Sequence, residues 1–66
     1  MKYAKLRGKI REVYGLQNDF AKAMNLNPAT LSFKLNGYTS WKREEIALAC
    51  HLLYIPLEEA HLYFFS

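Results

Sequence analysis

LQNDFAKAMNLNPATLSFKLNG, residues Leu16 to Gly37, reads as two short helices joined by a tight turn. Phe20, Ala21 and Met24 fall at i, i+1 and i+4, one face of a helix that runs from about Gln17 to Asn25. Asn25-Leu26-Asn27-Pro28 interrupts that pattern. Asn27 is a good helix cap, and Pro28 suits the first helical position, where its missing N–H costs nothing. Leu31 and Leu35 mark the buried stripe of a second helix, about Pro28 to Asn36. Asn36-Gly37 stops it, because glycine tolerates the left-handed conformation that closes a helix. At about 100° per residue, Leu31 and Leu35 point inward while Ala29 and Phe33 point away from the core. Thr30 and Ser32 flank that outer face on opposite sides, and Lys34 lies to its side.

Outward from this pair, Tyr3, Leu6, Ile10 and Val13 recur at helical spacing and give a first helix over about Tyr3 to Tyr14, stopped by Gly15. Gly8 in its middle costs about 1 kcal/mol against alanine, which suggests close packing there. Lys5, Arg7, Lys9 and Arg11 occupy its other faces. Beyond Gly37, Tyr38 to Trp41 is a short loop whose aromatics either plug the core or form an exposed edge. A fourth helix spans about Lys42 to Tyr54, with Ile46, Ala49, Cys50 and Leu53 as its buried stripe. Pro56 opens a fifth, running towards Phe65 and apolar nearly all round. The expected core is Leu6, Ile10, Phe20, Ala21, Met24, Leu26, Leu31, Leu35, Ile46, Ala49 and Leu53.

Sixty-six residues make one domain with a small core. The net charge of +3 conceals an asymmetry: residues 1–43 hold all nine Lys and Arg against Glu12 and Asp19, a net +7, and residues 44–66 hold four Glu and no Lys or Arg, a net −4. A basic portion that contains the helix pair fits a footprint for phosphates, with solvated surface charge as the plainer alternative. No stretch approaches the roughly 20 apolar residues of a membrane span, and the charged start is not a signal peptide. One cysteine allows no internal disulfide and suits a reducing compartment. A cytoplasmic protein is expected.

Catalysis and metal binding find little support in the residues. Cys50-His51 and His61 match no zinc spacing and lack a fourth ligand. Glu58 and Glu59 near His61 have no evident pocket in so small a bundle. The three glycines are scattered and form no phosphate loop. No enzyme, no cofactor and no metal is expected.

Residues 16–37 resemble the helix-turn-helix of the phage repressor and Cro family. Gln17 opens the first helix, small Ala21 sits where two helices cross, apolar Leu26 sits in the turn, Leu31 and Leu35 anchor the second helix, and Asn36-Gly37 ends it. An ordinary helical hairpin is the alternative. The resemblance implies an all-α, five-helix, lambda-repressor-like domain over residues 1–66. It implies that Gln17 binds a phosphate and that the outer face of helix three enters the major groove, at positions Asn27, Pro28, Ala29, Ser32 and Phe33. The ending IPLEEAHLYFF and the opening YAKLRGKI narrow the likeness to small Cro-like or modulator-of-repression proteins of temperate phages of low-GC Gram-positive bacteria. Such proteins act at the choice between lysis and lysogeny in a bacterial host.

The chain departs from a good reader of bases at that face. Base edges are read by Arg or Lys on guanine and by Asn or Gln on adenine. Pro28, Ala29 and Phe33 offer only apolar contact, Asn27 is expected to serve as a cap, and Thr30 and Ser32 are permissive. Two functions therefore stay open. In one, helix three (Asn27, Pro28, Ala29, Thr30, Ser32, Phe33 and Lys34) binds the DNA-binding domain of the phage repressor, operator DNA or both, with Gln17, Lys42 and Arg43 meeting phosphates or acidic groups. In the other, the chain is a Cro-like repressor that acts by sequence-specific DNA binding alone. The apolar surplus at Leu62, Tyr63, Phe64 and Phe65 points to a homodimer through helix five, with a C-terminus inserted into its own core as the alternative.

Overall fold

Several helix boundaries trace to local causes. In the computed structural model, which describes residues 2–65, α1 (Ala4–Tyr14) ends at Gly15, whose φ of 80° reverses the chain. α2 (Gln17–Ala23) is shorter than its sequence pattern suggests. Met24 caps it and Asn25 adopts a left-handed φ of 59°, so the helix ends at Ala23, two residues before the expected Asn25. Asn27 then caps α3 (Pro28–Leu35), its Oδ1 accepting the Ala29 N–H at 2.8 Å, with Pro28 in the first turn. Gly37, at φ 82°, carries the chain away. α4 is Arg43–Leu53, and its first turn is closed by Glu45 Oε1, which accepts the Lys42 N–H at 2.8 Å.

The fifth helix departs from expectation. Pro56 is extended, Leu57–Glu59 forms a 3-10 turn, and only Ala60–Phe64 is α-helical, here α5. The chain is thus all-helical among its described residues, with five α-helices and no strand.

The core runs through the middle of the bundle. Leu6, Ile10, Phe20, Ala21, Met24, Leu31, Leu35, Ala49 and Leu53 are buried as expected, and Cys50 joins them. Leu26 and Ile46 are only half-buried and pack on its rim. Ile55, Ala60 and Phe64 complete it from the C-terminal side. α2 packs on α1 and α3, whereas α5 packs on α1 and α4. α3 and α5 therefore lie against different neighbours. Trp41 is half-buried and wedged between Phe64, at 5.0 Å between ring centroids, and Tyr3, at 6.4 Å. Gly8 meets no close neighbour: a Cβ there would have nothing within 4 Å, so the expected close packing is absent. No helix is long and apolar enough to cross a membrane.

Candidate functional site

The outer face of α3 is set by its inner one. Leu31 and Leu35 are fully buried, which turns Pro28, Ala29, Thr30 and Phe33 to the surface. Phe33 is 50% exposed and Tyr38 76%. Their rings meet edge to face at 6.1 Å, so the loop after α3 extends the apolar face of the helix and does not cover it. Tyr38 is the aromatic whose placement the sequence left open. Its neighbour Gly37 was the available signal, because the left-handed turn there swings the next residue back alongside α3: the Tyr38 N–H donates to the Phe33 carbonyl at 2.9 Å.

The polar residues of this face are largely engaged. Asn27 Oδ1 is occupied as the cap. Ser32 is half-buried and its hydroxyl accepts from Asn36 Nδ2 at 3.4 Å. Asn36 Oδ1 in turn accepts from Arg7 Nη2 at 2.9 Å, and the same guanidinium nitrogen donates to the Leu35 carbonyl at 3.0 Å. Arg7 thus ties α1 to the C-terminal end of α3, where a cation also favours the helix dipole.

Lys34 corrects a sequence expectation. It was expected at the side of the outer face, free to meet a phosphate or a partner's acid. Instead it is 5% exposed. Its Nζ lies 2.9 Å from Glu45 Oε1, donates to the Ser40 carbonyl at 2.9 Å, and sits 5.9 Å from the Trp41 ring centroid. Burial alone would push the Glu45 carboxyl upward. The Lys42 N–H bond, the Lys34 bond and the two ammonium charges outweigh that, and the carboxyl is held below its usual value of 4.5. Leu31 and Leu35 face the core and Phe33 faces out, as the helical repeat requires. What the phase could not show is that a long side chain beside the core can fold inward when an acid waits there.

The three residues assigned to phosphates or acids do not form one cluster. Gln17 is half-buried at the start of α2 and shares a cleft of about 370 Å³ with Arg7, Gly8 and Arg11. Lys42 and Arg43 are exposed at the start of α4. Arg43 lines a separate groove of about 490 Å³ with Trp41, Ile46, Ala47, Leu57 and Phe65. Cys50 lies in the core, where burial pushes its thiol pKa up and away from reactivity.

The sequence profile of one family spans residues 1–66. The chain belongs to this family, described as protein of unknown function (DUF739). No curated protein matches the chain. Within this DUF739 protein, the two surfaces that stand out are the α3 face around Phe33 and Tyr38 and the groove beside Leu57 and Phe65.

Proposed function

We propose that this chain is a helix-turn-helix regulator of a phage lysis–lysogeny switch, a modulator of repression that binds the DNA-binding domain of the phage repressor through α3. The observation that carries the reading is the exposed edge-to-face pair of Phe33 and Tyr38. A soluble domain that leaves two adjacent aromatics uncovered offers an interface anchor. Around them, Pro28 and Ala29 add apolar surface. Asn27 Oδ1, Ser32 Oγ and the Lys34 ammonium each have a partner within the protein, and the face carries no free Arg, Lys or Gln to read a base edge. The arrangement of α2 and α3, capped at Asn27 and stopped at Gly37, supports the helix-turn-helix assignment.

A second reading, sequence-specific DNA binding, is favoured by the charge asymmetry of the chain. Lys2, Lys5, Arg11, Lys22, Lys42 and Arg43 are all exposed. In that case the operator affinity falls steeply with salt, because each neutralised phosphate releases counterions.

Phe33→Ala separates the two. The side chain is half-exposed, so the fold is retained. In a pull-down or titration with the cognate repressor domain, binding weakens by more than about tenfold, or 1.4 kcal/mol. A gel shift on the phage switch region is run beside it. If Phe33→Ala leaves repressor binding unchanged and abolishes the operator complex, α3 reads DNA and the protein-partner reading is wrong.

A further inference from the structure

The cleft of about 370 Å³ between α1 and the start of α2 is lined by Arg7, Gly8, Ile10, Arg11, Gly15 and Gln17. Arg7 and Arg11 stand one helical turn apart and share a face of α1. Arg7 is half-buried, and its guanidinium bonds only neutral oxygens: the Lys2 carbonyl through Nε, and the Leu35 carbonyl and Asn36 Oδ1 through Nη2. Its Nη1 has no partner among the described residues, and neither has the Arg11 guanidinium or the Gln17 amide. No carboxylate lines the cleft. The ion pairs among the described residues are Lys9–Glu12 and Lys34–Glu45, so neither arginine is neutralised. A partly buried cation without a counter-ion is unfavourable, and a bound anion relieves it.

Gly8 points the same way. It stands inside α1, where glycine lowers helix stability against alanine. Nothing within the protein calls for it: its φ is not positive, and a Cβ there would meet no atom within 4 Å. What the glycine does is leave the wall of the cleft bare, so that a ligand can approach the backbone beside the two arginines.

We propose that this cleft takes a carboxylate, the Asp or Glu side chain of a protein partner, held by Arg11 and the open Nη1 of Arg7 with its stem against Gly8. The proposal rests on the repressor-binding reading of α3 and adds a charged anchor to the aromatic one. Arg7 links the two, since it lines the cleft and also bonds the C-terminal end of α3, next to the turn that carries Tyr38. A guanidinium pairs with a carboxylate in a fork of two parallel bonds. An acidic side chain is slender enough to enter a recess. A phosphate in a duplex is flanked by sugars on a broad rod and meets cations that protrude.

Gly8→Leu and Arg11→Gln test this in the full chain; Arg7 is left in place because it also holds α3. Leucine at position 8 fills the cleft without meeting the rest of the protein, so Tm holds or rises while affinity for the cognate repressor domain falls about tenfold or more. Arg11→Gln weakens the same complex by a similar factor. When the acidic residues of the repressor domain are neutralised one at a time, one of them no longer matters in the Arg11→Gln background. Sodium acetate, titrated at constant ionic strength, moves the Gly15 amide resonance saturably in the wild type and not in Gly8→Leu. Wild-type repressor affinity in Gly8→Leu overturns the proposal, as does a loss that follows a lowered Tm. So does a defect in operator binding alone, or a response to inorganic phosphate with none to acetate, either of which makes the cleft a phosphate site. If the wild type binds no repressor domain, the repressor-binding reading fails by itself and the acetate titration decides the cleft: a saturable Gly15 shift upholds a carboxylate site, and its absence overturns it.

Discussion

Lys34→Met tests whether the cation of α3 belongs to the fold or to a binding surface. Methionine keeps the length of the stem that runs past Trp41 and removes the ammonium group. Two charge-assisted bonds of 2.9 Å are lost, to Glu45 Oε1 and to the Ser40 carbonyl. Bonds of that type contribute about 1.5–3 kcal/mol each. Three effects reduce the loss. The ammonium no longer has to be desolvated. Glu45 keeps the Lys42 N–H and part of its hydration, with its side chain 19% exposed. Ser40 is exposed, so water replaces its lost donor. The net cost is about 1.5 kcal/mol, and a domain of this size loses about 4–8 °C per kcal/mol, so Tm falls by roughly 6–12 °C. Thermal unfolding followed by circular dichroism measures it, with exposed Lys22→Met as the control expected within about 0.5 kcal/mol of wild type. Pairing Lys34→Met with Glu45→Gln in a double-mutant cycle assigns the coupling. If Lys34→Met melts like the control and instead weakens binding to repressor or operator, the ammonium faces outward and the ion pair is not what holds it.

Gly8→Ala raises stability by about 1 kcal/mol in urea titration, because the site is helical, exposed and open to a Cβ; a loss of stability shows that something packs there. Cys50 in the native chain reacts with a thiol reagent far more slowly than in the unfolded chain, since it is buried and its thiol pKa is raised; equal rates refute the burial. The Glu45 carboxyl is depressed in the folded state, so its contribution is fully present above about pH 4.5 and is lost as pH falls through the lower folded value. Glu45→Gln therefore narrows the stability gap between pH 6 and pH 3; an unchanged gap assigns the acid loss to other carboxylates.

Periodic apolar residues were legible because the core dictates them. Leu6, Ile10, Phe20, Leu31, Leu35 and Leu53 sit where a 3.6-residue repeat puts them, and every one is buried. Caps were legible for a similar reason, since Asn27-Pro28 and Gly15 act through neighbouring backbone. The C-terminal stretch was not, because apolar residues of Leu57 to Phe65 lie nearly all round the helix and outnumber what one face can bury. The tertiary packing sorts them into buried Ala60 and Phe64 and exposed Leu57, Leu62 and Phe65. The long cations were also illegible. Lys34 and Arg7 share composition with Lys22 and Arg11, and only the tertiary placement of Glu45 and of the α3 carbonyls separates those committed to the fold from those left in water.

That separation bears on what the basic surface can do. Arg7 grips the C-terminal end of α3 through Leu35 and Asn36, and Lys34 anchors the same turn to α4 through Glu45. Two of the nine cations thus position the helix whose outer face is the candidate interface. Lys34 is neutralised by Glu45, so the net +7 of residues 1–43 overstates the charge available to nucleic acid by that one; Arg7 bonds only neutral oxygens and keeps its charge. Clamping by charge also has a mechanical consequence. α3 is eight residues long, too short to be stable by propensity alone, and it holds its place through Leu31, Leu35 and the two cations. Phe33 and Tyr38 are then presented from a fixed support, which lowers the ordering entropy that an exposed aromatic anchor loses on binding. An interface built this way favours a partner that buries aromatic rings over one that reads hydrogen-bond donors, because the one cation of α3, Lys34, already serves the scaffold.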